Sequence, residues 1–315
     1  MDNQQPATSN QQPATSNKQQ ATSNQQPATS NQQPFPWYGW LGAAIVLTAE
    51  ALLFARQPFV SQWFTPIVWT GYILFADGLA FRLRGHSLIH DRPREAVLMA
   101  WLSVGCWLVF EVYNMHLWNW YYVGVPENPW ARNLAYLWSF ATIFPGIFET
   151  ADVLDGLGLF RTARARPREM STLWLSVSFL LGIAFLTIPP LLPIQAARYT
   201  FALVWVGFIL LLEPLNQALG APSVYRALEE GNPRPLYILL AAGGICGLLW
   251  EFWNFWAAAG WRYTIPWPLD FGVYYFRMPI LGMLGFPPFA LECYAMYHFL
   301  RRMLGGDRLW SIRVN

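Results

Sequence analysis

The chain has 315 residues, of which 55% are hydrophobic and only 12% are charged, and its formal net charge is +2. Soluble domains usually carry about 25% charged residues, so this composition excludes an ordinary soluble enzyme. No basic stripe interleaves with aromatic residues, so we do not expect a nucleic-acid partner. Successive apolar windows have the length of about 20 residues that crosses a bilayer. We therefore predict an all-α, polytopic membrane protein.

The chain begins with a polar segment that contains a repeat. NQQPATS occurs at 3–9, 10–16 and 24–30, and the variant NKQQATS fills 17–23. Gln, Asn, Pro, Ser and Thr bury too little apolar surface to offset the entropy of an ordered chain. We expect residues 1–34 to be a disordered tail without a catalytic role.

Eight apolar windows follow this tail, and the arginines between them predict the topology. The windows lie near 37–55, 65–82, 96–117, 134–159, 172–193, 199–220, 236–257 and 278–300. The connections after the even-numbered windows hold four, four, two and four arginines, and those after the odd-numbered windows hold one, one, one and two. The positive-inside rule then places both termini in the cytoplasm. We expect an integral protein of a bacterial inner membrane.

The two halves of this apolar region align with few gaps. FEVYN (110–114) matches WEFWN (250–254), WYY (120–122) matches WRY (261–263), and FPGIFET (144–150) matches PPFALEC (287–293). An even number of spans in each half makes the halves run in the same direction across the membrane. We predict two tandem, parallel four-helix repeats at 35–168 and 169–305, followed by a cytoplasmic tail at 306–315.

Both halves place acidic residues inside predicted spans, where an ionised carboxylate costs at least about 2.5–3.5 kcal/mol. The six matched acids are Asp77, Glu111, Glu149, Glu213, Glu251 and Glu292. No lysine occurs in the apolar region and most arginines lie at span ends, so we expect these acids to lack cationic partners. A carboxyl that stays neutral in an apolar pocket is a proton donor. Interhelical hydrogen bonding is the alternative role for such residues.

The Glu-x-x-Asn pattern places a carboxyl and an amide on one helix face, because positions i and i+3 are neighbours. We expect the amide to orient the carboxyl, and we expect the surrounding aromatic rings to attract a positively charged intermediate. The predicted catalytic residues are Glu251, Glu292, Glu111, Glu149, Asn254 and Asn114. The predicted substrate-binding residues are Trp250, Trp253, Trp261, Tyr263, Trp120 and Tyr122.

The chain carries no motif that predicts a cofactor or a metal site. HSLIHD (86–91) would need many more histidines than the four in this chain to form a di-iron centre, and the three cysteines have no CxxC spacing. Neither GxGxxG nor a Walker sequence occurs. We therefore predict no cofactor and no metal. The aromatic residues around the acids instead predict an apolar lipid as the partner of the site.

These patterns resemble the membrane-embedded lycopene cyclases that are built from two homologous helical halves, over roughly 80 residues in each half. The matching residues of the second half are Trp250, Glu251, Gly260, Trp261, Arg262, Tyr263, Pro288 and Glu292. Those of the first half are Phe110, Glu111, Trp120, Tyr121, Tyr122, Pro145 and Glu149. The family has adjacent carboxylates in its last helix, whereas Thr150 or Cys293 follows the glutamate in this chain.

The resemblance implies acid–base chemistry, without redox, on an isoprenoid or carotenoid-like lipid. The sequence also allows two other functions. Buried acids and parallel repeats occur in proton-coupled transporters. A membrane assembly protein would use the same acids only to hold its helices together.

Overall fold

The computed structural model of the chain describes residues 33–306. The predicted disordered tail therefore lies outside the described residues, except for its last two positions, and so do residues 307–315 of the predicted cytoplasmic tail. The described part is mostly helical, as expected for a polytopic membrane protein.

The helices in chain order are α1 (Trp37–Phe54), α2 (Pro58–Arg84), α3 (Leu88–Asp91), α4 (Pro93–Leu117), α5 (Pro129–Ala141), α6 (Ile143–Gly156), α7 (Thr172–Leu191), α8 (Ile194–Ala197), α9 (Phe201–Ala218), α10 (Val224–Glu229), α11 (Arg234–Trp256), α12 (Ile280–Met283) and α13 (Phe286–Met303). Four short strands add to them: β1 (Trp120–Val123), β2 (Gly260–Tyr263), β3 (Tyr274–Tyr275) and β4 (Met278–Pro279). Two small antiparallel ladders, β1–β2 and β3–β4, therefore add a minor β component to the predicted all-α fold.

Six helices between residues 33 and 306 are long and apolar enough to cross a membrane: α1, α2, α4, α7, α9 and α11. The predicted span 134–159 is instead divided at Thr142 into α5 and α6, of 13 and 14 residues. The predicted span 278–300 is divided into the short α12 and the longer α13, which carries Glu292, His298 and two arginines. These two segments therefore differ from single apolar helices.

Helix α6 lies in the core, with twelve of its fourteen residues buried. It packs against α2, α4 and α11, while α13 packs against α9 and α11. The outer helices α1 and α7 pair with α2 and α9, and only 22% of their apolar windows is buried. The outward faces of α1 and α7 are apolar, which suits contact with lipid chains.

Asp77 and Glu213 hold the short helices that follow them in the chain. Asp77 accepts hydrogen bonds from the backbone N–H of Ile89 at 2.6 Å and from the hydroxyls of Ser87 and Tyr38. Glu213 accepts from the Ser223 hydroxyl at 2.6 Å and from the Tyr225 backbone N–H at 3.0 Å. Both acids therefore satisfy backbone donors at the start of a helix, a structural role.

Two further acids, Asp152 and Asp155, form ion pairs, which none of the six matched acids does among the described residues. Arg84 pairs with Asp152 and, at 3.4 Å, with Asp155. Arg234 at the start of α11 pairs with Asp155 at 2.5 Å. These buried pairs tie together the ends of α2, α6 and α11. Removing one partner of such a pair typically costs about 3–5 kcal/mol.

Candidate functional site

Glu111 of α4 is the acceptor of an aromatic hydrogen-bond cluster. Its Oε1 accepts from the Tyr122 hydroxyl at 2.6 Å, from Trp107 Nε1 at 2.8 Å and from Trp120 Nε1 at 3.2 Å. Trp107 lies one turn earlier on the same helix, whereas Trp120 and Tyr122 come from β1. One carboxyl oxygen is thus surrounded by three ring donors.

Glu251 of α11 has the same arrangement in the second half of the chain. Its Oε1 accepts from the Tyr263 hydroxyl at 2.6 Å and from Trp261 Nε1 at 3.3 Å. The residue is fully buried, and its Oε2 has no hydrogen-bond partner in the described part of the chain. Matched acid, Trp and Tyr residues therefore make matched contacts in both halves.

Asn114 and Asn254 do not orient these carboxyls, so that sequence-based expectation is wrong. Asn254 Nδ2 donates to the Trp261 carbonyl at 3.1 Å, and its Oδ1 accepts from the Trp261 N–H at 2.9 Å. Asn114 makes the same two bonds with Trp120, at 2.9 Å and 3.2 Å. Each Asn binds the backbone of the strand that follows its helix, and so it fixes the Trp and Tyr side chains over the Glu.

The β1–β2 ladder brings the two clusters side by side. Trp120 lies opposite Tyr263, and Tyr122 lies opposite Trp261. Because Trp120 matches Trp261 and Tyr122 matches Tyr263 in the alignment, the register has local two-fold symmetry about the Tyr121–Arg262 pair. The four aromatic residues predicted from these two segments thus meet at one place.

A largely apolar cavity of about 1100 Å³ lies against this ladder, a volume that includes its open mouth. Trp120, Tyr122, Trp261 and Tyr263 line it, and so does Trp250 of α11. Residues that the sequence did not single out also line it: Trp107, Tyr136, Phe140, Trp205, Phe286 and Phe289. Pockets with such a lining bind apolar ligands and orient them with a few polar groups.

Tyr122 and Tyr263 line the cavity and donate their hydroxyls to the two acids. Burial, and then the neighbouring Glu251 carboxyl, raise the pKa of Tyr263 well above its usual value. Burial and Glu111 do the same to the pKa of Tyr122. Both hydroxyls therefore keep their protons at ordinary pH and donate to the carboxyl behind them.

Glu149 and Glu292 lie elsewhere, although their positions match in the two halves. Both are buried in α6 and α13, and neither carboxyl has a hydrogen-bond partner among the described residues. Neither lines the cavity described above. Glu149 interacts electrostatically with Asp77, Asp152 and Arg84 instead. The structure thus brings together Glu111 and Glu251 at the ladder without these two acids.

Trp253 does not line this cavity either. Its Nε1 donates to Glu50 of α1 at 3.0 Å, and its ring packs edge-on against Trp69 at 5.1 Å. It therefore joins α11 to α1 and α2. Trp250, one residue before Glu251, packs against Trp69 at 5.0 Å and reaches the cavity.

No cluster of three or more His, Cys, Asp or Glu side chains in residues 33–306 could hold a metal ion. No family profile, curated protein or solved structure matches this chain. Its function is therefore inferred from the geometry of the two clusters and the cavity between them.

Proposed function

We propose that this protein is an integral membrane enzyme that acts on an apolar, isoprenoid-like lipid by acid–base chemistry without redox. The observation that carries the proposal is that two tyrosines, each hydrogen-bonded to a buried or half-buried glutamate, line one aromatic cavity. Such a lining suits an apolar substrate better than a polar solute, which disfavours the transporter alternative.

Two repeats with a shared site are part of this proposal. Each repeat would have four membrane segments, with α5–α6 and α12–α13 as the divided fourth segments. The matched Glu–Trp–Tyr clusters and the two-fold register of β1–β2 support this arrangement. A pseudo-two-fold axis along the membrane normal would relate the repeats, with both termini in the cytoplasm of a bacterial inner membrane.

In the proposed reaction, one glutamate begins as a carboxylic acid and the other as a carboxylate. The Tyr263 hydroxyl turns from Glu251 toward the substrate and gives its proton to an alkene carbon, while its oxygen takes the proton of the Glu251 carboxylic acid. The C=C π electrons form the new C–H bond and leave a carbocation. The π electrons of a second alkene in the same chain close a ring onto that cation, and Glu111 takes a proton from the adjacent carbon through Tyr122. The product is an isomer of the substrate, so no electrons are gained or lost.

The surrounding rings stabilise the cation. Trp107, Trp120, Trp250 and Trp261 line the cavity, and a cation over an aromatic face gains about 2 kcal/mol or more when water is excluded. This environment suits isoprenoid cyclisation, as the resemblance to the lycopene cyclases implies.

The proposal is tested by expressing the full chain in a lycopene-producing bacterial host and analysing the extracted pigments. We expect cyclised carotenoids with the wild-type chain and unchanged lycopene with a Glu111→Gln, Glu251→Gln double variant present at the same level in the membrane. Unchanged pigments with the wild-type chain would contradict a carotenoid substrate. Unchanged isoprenoid lipids in the same extracts would contradict the proposed chemistry as a whole.

A further inference from the structure

A second cavity adjoins the first and differs from it in charge. It has a volume of about 990 Å³, which includes its open mouth. Both cavities are lined by Trp120, Trp205, Tyr263 and Met278. Most of its lining is apolar, but Arg198, which lies between α8 and α9, belongs to it. A positively charged group therefore borders a cavity that continues along the wall of the candidate active site.

The Arg198 side chain is held in place without a carboxylate. Its Nη2 donates to the Thr264 carbonyl at 2.5 Å, and its guanidinium lies 5.4 Å from the centre of the Trp118 ring. The Asn119 amide donates to its backbone carbonyl at 2.9 Å. No ion pair forms at Arg198 within residues 33–306, and its Nε has no hydrogen-bond partner there.

Burying a guanidinium beside an apolar cavity costs free energy unless an anion or hydrogen-bond acceptors bind it. The planar fork of arginine binds carboxylate and phosphate oxygens in pairs, through short charge-assisted hydrogen bonds. The Arg198 Nε, which has no hydrogen-bond partner among the described residues, remains to bind such an anion.

The first cavity has a neutral residue at the matching position. The alignment of WTGYILFAD (69–77) with WVGFILLLE (205–213) sets an offset of 136, which pairs Gln62 with Arg198. Gln62 lines the first cavity, and its amide already donates to the Gly124 carbonyl at 3.2 Å. The second cavity therefore offers a positive charge to a ligand at this position, whereas the first offers a neutral amide.

From this asymmetry we infer that the site also binds an amphiphilic isoprenoid with an oxyanion head group, a phosphate or a carboxylate. The head group binds Arg198 in the second cavity, and the apolar chain runs past Trp205 and Tyr263 into the first. The inference rests on the proposed function only for the isoprenoid nature of the ligand's apolar part. The oxyanion head group is inferred from Arg198 alone.

Binding can be measured apart from turnover, with the full-length protein in nanodiscs of uncharged lipid and its tryptophan fluorescence as the signal. Four ligands with one geranylgeranyl-type chain are compared: the monophosphate, the carboxylic acid, the alcohol and the hydrocarbon. We expect the phosphate or the carboxylate to bind at least about tenfold more tightly than the alcohol, as a charge-assisted hydrogen bond requires. Equal affinities for the alcohol and both anions would overturn the inference, and so would equally tight binding of inorganic phosphate alone.

Two variants locate the head-group site. Arg198→Gln introduces the residue found at the matching position, and Arg198→Met keeps the packing of the aliphatic stem. Each should reduce the preference for the anion to less than about twofold, whereas Arg56→Gln, which removes an exposed charge, should leave it unchanged. A preference that survives in a folded Arg198 variant would overturn the assignment. Anion-selective binding without any product would reject the proposed reaction and leave the head-group site standing.

Discussion

Glu251 is buried within α11, and only one of its two carboxyl oxygens has hydrogen-bond donors. A glutamine at this position can keep its carbonyl oxygen toward Tyr263 and Trp261, while its amide nitrogen replaces the unpartnered Oε2. The substitution therefore removes the exchangeable proton and leaves the packing almost intact. A packing role and a catalytic role predict different outcomes for it.

We expect Glu251→Gln to lower the rate of product formation by at least about 100-fold, the usual contribution of a general acid. The melting temperature in detergent should change little. Initial rates of product formation in membranes, divided by the amount of folded protein, measure the effect. A rate within twofold of the wild type would show that Glu251 serves only to hold the helices together.

The hydroxyl of Tyr263 can be tested separately from its ring. Tyr263→Phe removes the 2.6 Å hydrogen bond to Glu251 but keeps the ring in the cavity wall. We expect the free energy of unfolding to fall by about 1–3 kcal/mol because a buried acceptor loses a donor. Product formation should fall far more than affinity for the isoprenoid chain. Chemical denaturation and ligand titration of this variant, with Tyr136→Phe as the control at the same cavity, separate the two effects. An equal loss of rate in the control would contradict a specific role for Tyr263.

At this scale the sequence predicted much of the site. The recurrence of Glu-x-x-Asn identified Glu111 and Glu251, and the aligned Trp and Tyr residues do lie against them. The role of the asparagines was beyond sequence reasoning, because helical spacing gives neighbours on the same helix and says nothing about the strand that follows. For the same reason the sequence could not show that Trp250 lines the cavity and Trp253 does not, because this depends on where α1 and α2 pack.

At the scale of elements, α11 and α13 approach closely through Gly243. A Cβ added to Gly243 would collide with the carbonyl oxygen of Phe286, whereas one added to the adjacent Gly244 would meet nothing closer than Pro287 Cγ at 3.9 Å. The two neighbouring glycines are therefore a matched pair for testing the helix contact that positions Glu251.

We expect Gly243→Ala to lower the free energy of unfolding by about 1–3 kcal/mol through overpacking against backbone. Gly244→Ala should raise it by up to about 1 kcal/mol, because alanine is the better helix former and space is available. Unfolding of both variants in the same detergent measures the difference. Equal effects of the two substitutions would contradict the α11–α13 packing.

The sequence did not predict the strands or the two divided helices. Residues 120–123 and 260–263 pair with each other across about 140 positions, and such distant pairing leaves no local periodicity to recognise. The break at Thr142 is equally hidden, since Ile143 and Phe144 continue an apolar run across it. Composition therefore predicted the long apolar helices well and these shorter elements poorly.

For the whole molecule, the distribution of arginines predicts that both termini face the cytoplasm. A fluorescent protein that folds only in the cytoplasm, fused after residue 315, should therefore be bright. The same reporter inserted in the loop between β1 and α5 should be dark, while alkaline phosphatase at that site should be active. The reverse pattern would contradict the predicted orientation.

The most direct test of the central claim is the source of the hydrogen in the product. Purified protein in nanodiscs is incubated in heavy water with a linear isoprenoid, and the cyclised product is analysed by mass spectrometry. Protonation of an alkene by an exchangeable carboxyl predicts one deuteron in each newly formed ring, with the oxidation level unchanged and no product from Glu251→Gln. A product without deuterium, or one formed equally well by the Gln variant, would contradict the proposed acid–base mechanism.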